Sequence, residues 1–181
     1  MNKPNSIKFC AFLLLFNVLS INAQDFNEKW GIGLNSASVL YSAEDGTTVG
    51  GRYIATVPGI SISRYLGNKM TISVMFSNSM NDTQQYFSSD FNLSYDIFNP
   101  DSFLRPYLLG GVGVVNLLDT GLTLNVGGGG TLWIANNIGL NAQLIYKVST
   151  IGGELQKSHI FGSAGIVYSF SPSRNKRLWE K

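Results

Sequence analysis

Ser163-Ala164-Gly165-Ile166-Val167-Tyr168-Ser169-Phe170, near the end of a chain of 181 residues, decides how the remainder is read. Ile160, Ala164, Ile166, Tyr168 and Phe170 share one parity, and His159, Ser163, Gly165 and Ser169 share the other. Period-two alternation puts each set on its own face of a β-strand. Such a strand is either half exposed to water or faces lipid with its polar side turned into a packed lumen. One strand alone does not separate these readings, so its partners must be sought upstream.

Seven more strands are expected, all but the fifth alternating in the same way. Strand one is expected over Trp30–Val39, with Trp30, Ile32 and Leu34 set against Gly31, Gly33 and Asn35. A long connection over Tyr41–Val57 carries the turn signal Glu44-Asp45-Gly46. Strand two is expected over Pro58–Leu66, Pro58 being tolerated at a strand start. Gly67-Asn68-Lys69 forms a tight turn into strand three, Met70–Ser77. After the polar loop Asn78–Gln85, strand four over Tyr86–Phe98 is the cleanest: Phe87, Phe91, Leu93, Tyr95 and Ile97 oppose Asp90, Asn92, Ser94 and Asp96. Asn99-Pro100-Asp101-Ser102 turns the chain into strand five, Arg105–Leu118, which is apolar on both faces. Strand six is read as Leu122–Ile134, with Thr123, Asn125 and Thr131 inside, and strand seven as Ile138–Val148, with Asn141, Gln143 and Lys147 inside. The opening stretch is the eighth strand.

Composition agrees with a small β protein that has a non-aqueous exterior. Charged residues make up 13% of the chain, against roughly 25% in ordinary soluble domains. Aromatics make up 12%, and there are 20 glycines. Residues 1–23 read as a cleaved secretory signal: Lys3 and Lys8 precede the apolar run Phe9–Leu19, and Ile21-Asn22-Ala23 leads to a cut before Gln24. Cys10, the only cysteine, lies in that leader, so the mature chain has no thiol or disulfide chemistry. The leader holds two of the 13 Lys and Arg residues and none of the 11 acidic ones, which leaves 11 of each. A formally neutral chain has no electrostatic footprint for nucleic acid.

The closing stretch resembles the last-strand signal of bacterial outer-membrane barrels: a polar residue, a glycine two later, then two large residues two apart, here Ser163, Gly165, Tyr168 and Phe170. Over about Gln24–Phe170 the chain is similar to the small eight-stranded outer-membrane barrels, namely the OmpA transmembrane domain, OmpX-like proteins and stand-alone barrels common in Bacteroidetes. Phe103–Gly113 resembles the fifth strand of that group. The resemblance implies an all-β, eight-stranded, antiparallel up-and-down transmembrane β-barrel over residues 24–170, with a short basic periplasmic tail over 171–181. It also implies outer-membrane lipid and lipopolysaccharide as surroundings, the barrel-assembly machinery as a partner during insertion, and loops free to meet an extracellular partner of unknown kind. Ser171–Lys181 is too short for the peptidoglycan-binding domain that usually follows the OmpA barrel, so anchoring of that kind is not carried over.

The candidate chemistry is modest. Asn35, Asp90, Asn92, Asp96, Asn125, Asn141, Gln143 and Lys147 should form an inward polar network, in which Asp90 and Lys147 pair or share partners, because buried charges need them. Trp30, Tyr95, Tyr107, Tyr168 and Phe170 are expected as an interfacial girdle at the periplasmic strand ends, with Tyr41, Tyr53, Phe87 and Tyr146 toward the other rim. Gly110, Gly111, Gly113 and Gly127–Gly130 lack the lysine and helix of a phosphate loop and read as room for bulky inward neighbours such as Trp133. His159, the only histidine, lacks a serine two residues away. That counts against a lipid A-modifying enzyme, and one histidine without a mature cysteine counts against zinc.

The expectation is a non-enzymatic outer-membrane barrel without a cofactor, in a structural or surface-interaction role. The rivals are a lipid A-modifying enzyme, a small pore, and a soluble lipocalin-like binder with the apolar face inside.

Overall fold

The computed structural model describes residues 30–42, 51, 53–79, 85–98, 102–117, 119–135, 137–151 and 157–170. The leader, the turn signal at residues 44–46 and the tail at 171–181 lie outside the described residues. Eight strands follow in order: β1 Trp30–Tyr41, β2 Tyr53–Gly67, β3 Met70–Asn78, β4 Phe87–Asp96, β5 Leu104–Asn116, β6 Thr120–Trp133, β7 Ile138–Ile151 and β8 His159–Phe170. Each pairs antiparallel with its sequence neighbour. β8 closes on β1 from Trp30↔Phe170 to Tyr41↔His159, so the barrel has no edge.

The register is staggered. Partners followed once around the wall run from Trp30 through Arg64, Ile72, Leu93, Gly110, Val126, Tyr146 and Ile160, and return to β1 at Leu40, ten residues further along. A stagger of that size on eight strands goes with a tilt of about 35–45° and an interior that side chains can fill.

The largest departure from expectation lies between the first two strands: β1 runs on to Tyr41 and β2 begins at Tyr53, so both ends of the expected Tyr41–Val57 connection are strand, while the other strand ends move by a few residues at most. Pro58 therefore lies inside β2. It pairs with Ser36 of β1, while the ladder to β3 starts only at Gly59, so β2 has no β3 partner where the proline sits. The link from β2 to β3 is a two-residue hairpin whose central residues, Asn68 and Lys69, both have positive φ. That geometry matches the right-handed twist of the flanking strands.

Alternation sorts the side chains as the sequence does. Ile32, Leu34, Ile60, Phe91, Leu93, Leu124, Leu140, Leu144 and Ile166 are exposed on the outside, while Asp90, Asn92, Asn125, Lys147, Ser163 and Ser169 are buried within. The lipocalin-like alternative needs the opposite arrangement and is overturned by this one.

Candidate functional site

The lumen is the only place where charged and polar groups are brought together in number among the described residues, and its two ends are built differently. Toward the long loops it is packed. Val39, Tyr41, Ile54, Val57, Tyr86, Val115, Leu117, Ile145 and Phe161 form a buried core there.

The ion pair of Asp90 and Lys147 is set against this core. Lys147 Nζ lies 2.8 Å from Oδ1 and 2.6 Å from Oδ2 of Asp90, and both side chains are fully buried. Lys147 Nζ also donates to Ser88 Oγ at 3.1 Å, and Ser88 Oγ donates to Asp90 Oδ2 at 3.0 Å. Asn125 Nδ2 donates to Asp90 Oδ1 at 2.9 Å and to Asn92 Oδ1 at 3.0 Å, and its own carbonyl accepts from Thr123 Oγ1 at 3.1 Å. The Phe161 ring covers the ammonium at 4.4 Å. Desolvating two charges is costly, and these neutral partners on both charges are what make burial of the pair tolerable.

Two glycines make the arrangement possible. On β5, Gly111 and Gly113 stand between Asn92 and Asp90 of β4 and Asn125 and Thr123 of β6. A Cβ on Gly113 would meet Asp90 Oδ1, and one on Gly111 would meet Phe91 O and Asn92 Oδ1. Without side chains of their own, they let Asn125 reach across one strand to two partners on β4.

The expected network is in fact divided. Asp90, Asn92, Asn125 and Lys147 form the cluster just described. Asn141 and Gln143 form a second one around Tyr107: Asn141 Nδ2 donates to the Tyr107 hydroxyl at 2.9 Å and to Thr131 Oγ1 at 3.0 Å, and the Tyr107 hydroxyl donates to Gln143 Oε1 at 3.2 Å. Asn35 is engaged elsewhere, donating to Ser61 Oγ at 3.2 Å. Asp96, at the end of β4, is buried beside its ladder partner Tyr107 but makes no hydrogen bond to any of these groups. The division follows from the stagger, which places residues of similar strand position at different heights in the lumen.

Two girdle assignments are corrected. Tyr107 points into the lumen, bonded as above, and Tyr41 is 1% exposed with its ring 4.7 Å from that of His159. Both have inward parity, and β5 is apolar on both faces, so position near a strand end was a misleading guide. The other assigned aromatics have outward parity. Tyr95 and Tyr168 are exposed, Phe170 stacks on Tyr168 at 6.3 Å, and Trp30 is half buried beneath the Arg64 guanidinium at 5.2 Å. Tyr53, Phe87 and Tyr146 are exposed at the loop end. Trp133 faces inward as expected, but the glycine it packs on is Gly139; the space at Gly129 goes to the Tyr107 hydroxyl.

Of the closing-signal residues, Ser163 is buried inside, Gly165 faces Asn35 across the β1–β8 seam, and Tyr168 and Phe170 lie outside. A Cβ on Gly165 would meet Leu34 O and Asn35 Cα, so the seam closes tightly only with glycine there.

His159 is 1% exposed. Its Nδ1 lies 3.1 Å from Lys157 O, which can only accept, so Nδ1 carries the proton; Nε2 then accepts from the Tyr86 hydroxyl at 3.1 Å. Both nitrogens are occupied inside the barrel, away from any lipid substrate, and neighbouring Ser158 accepts from the Ser149 N–H at 3.0 Å rather than approaching the ring. Among the described residues no group of three or more His, Cys, Asp or Glu side chains stands ready for a metal. Sequence reasoning missed Tyr86, Ser88 and Phe161 as parts of the packed half, since their parity signals only burial.

No family model and no curated protein matches the chain. Among solved structures it is similar to the N-terminal β-barrel domain of Pseudomonas aeruginosa OprF, with a TM-score of 0.61 and 17% identity over 78% of this chain and 97% of that one. Neisserial surface protein A follows at 0.54 and 17% identity, over 79% and 97%. Ail, the attachment invasion locus protein of Yersinia pestis, is similar at 0.53 and 14%, over 79% and 97%. At such identities the likeness is one of fold. The chain has the fold of the small eight-stranded outer-membrane barrels.

Proposed function

We propose that this protein is an integral outer-membrane β-barrel with a structural or surface-interaction role and no catalytic activity. One observation carries the reading: the outward face is apolar on every strand. It runs through Leu34, Ile60, Phe76, Phe91, Leu108, Val126, Leu144 and Ile166, all exposed, while the charged pair is turned inward. Soluble monomers rarely expose apolar patches of more than a few hundred Å², whereas a lipid-facing wall between aromatic girdles is what a bilayer requires.

The packed loop-end core argues against a continuous pore, and the buried, doubly bonded His159 argues against lipid A chemistry. The test is migration of the outer-membrane fraction on a denaturing gel, boiled against unboiled. Heat-dependent migration in that fraction is expected. Recovery from the periplasm in soluble form, without detergent, would refute the reading.

A further inference from the structure

The half of the lumen nearer the chain termini carries a feature that a purely structural barrel does not need. A cavity of about 740 Å³ opens beside Trp30 and Ser169 and reaches inward to Met75, Leu109 and Gln143, below the Asp90–Lys147 cluster. That volume lies within the range of small-molecule sites. Opposite charges line it without meeting. Asp96 is buried, and no described residue hydrogen-bonds or ion-pairs with its carboxylate. Arg105 lies diagonally across the β4–β5 ladder, two residues from Tyr107, the partner of Asp96. Its guanidinium rests over the Trp133 ring at 4.9 Å and donates no hydrogen bond to a described residue, and its Nε and the Trp133 Nε1 are both buried without an acceptor. A buried carboxylate is ordinarily paired; Arg105, which is half-buried, and Lys69 are near enough to act on the charge of Asp96, yet neither is joined to it by a hydrogen bond or ion pair, and the acid and Arg105 both face one cavity.

We propose that this cup binds a small zwitterion, an amino acid or short peptide, with its ammonium on Asp96, its carboxylate on Arg105 and its carbon skeleton along the Tyr107 ring. A simple anion would have to sit near the Asp96 carboxylate, and a simple cation near the Arg105 guanidinium. A ligand that carries both charges meets both walls. The binding is a property of the folded barrel and is independent of the compartment in which the barrel resides.

The test is a titration of the full chain, folded in detergent micelles and isotope-labelled for NMR, with the dipeptide alanyl-alanine as probe. A saturable shift of the Trp133 indole N–H signal is expected, with acetate and methylammonium each binding about tenfold more weakly or worse. Asp96→Asn and Arg105→Gln should each weaken binding about tenfold or more, as loss of a charge-assisted hydrogen bond does, while both keep the heat-dependent migration of a folded barrel. Absence of a saturable shift in the unsubstituted protein overturns the proposal, as does an equal response to acetate or undiminished affinity in Asp96→Asn. Binding that appears only after deletion of residues 171–181 also overturns it, because the cup would then be the tail's own.

Discussion

The loop-end half of the lumen and the terminus-end half are made by the same eight strands, yet they are solved in different ways. The first excludes space: Tyr41, Tyr86, Ile145 and Phe161 close around Lys147 and Asp90, and each charge is matched by the other and by neutral donors or acceptors. The second keeps space. Serines at 61, 63, 73 and 94 leave a cavity, and Asp96 and Arg105 line it without meeting. Where the inward side chains fill the lumen, Asp90 and Lys147 are satisfied by protein; where they leave a cavity, Asp96 and Arg105 are not joined. The same alternation of inward and outward residues serves both halves.

The sharpest break in this contrast is Asp90→Ala. It leaves the Lys147 ammonium buried without its counter-charge and should destabilise the barrel by about 3–5 kcal/mol, read from the urea midpoint in detergent or vesicles. The double variant Asp90→Leu/Lys147→Met should lose less than Asp90→Ala alone; a loss equal to the sum of the singles would mean that the pair is not a unit. Leu144→Arg, on the outside near mid-strand, should cost about 2–4 kcal/mol in a bilayer, and a cost near zero would count against lipid at that face. Gly111→Ala should cost about 1–3 kcal/mol by overpacking, since the new methyl meets Phe91 O and pushes Asn92 away from Asn125. Ser63→Ala, in the open half, should change stability by less than about 0.5 kcal/mol; a larger loss would show that this half is more tightly organised than its space suggests.

Much of the architecture was legible because parity is a local property. Strand four announces itself by Phe87, Phe91, Leu93 and Tyr95 against Asp90, Asn92 and Asp96, and the structure keeps every one of those faces. Parity fails where both faces are apolar. Tyr107 stands among Leu108, Leu109, Val112 and Val114, and nothing in that run says which side is wet. It fails again at Tyr41, where the strand was expected to have ended two residues earlier. The juxtaposition of Asp90 and Lys147 could be anticipated from chemistry, because two buried opposite charges need each other. That Asp96 is left without a hydrogen-bond or ion-pair partner among the described residues could not, since it depends on how far each strand is shifted against the next.

By itself, the sequence determined the eight segments and the order of the turns, and in all but the fifth the polar inward set and the apolar outward one, since those are fixed by period-two geometry over a few residues. Only the tertiary structure decided the ten-residue stagger, the reach of Asn125 past Gly111 and Gly113, and the division of the lumen into a packed half and an open one. These depend on pairings between residues far apart in the chain, which closure of the barrel sets all at once and no single segment encodes.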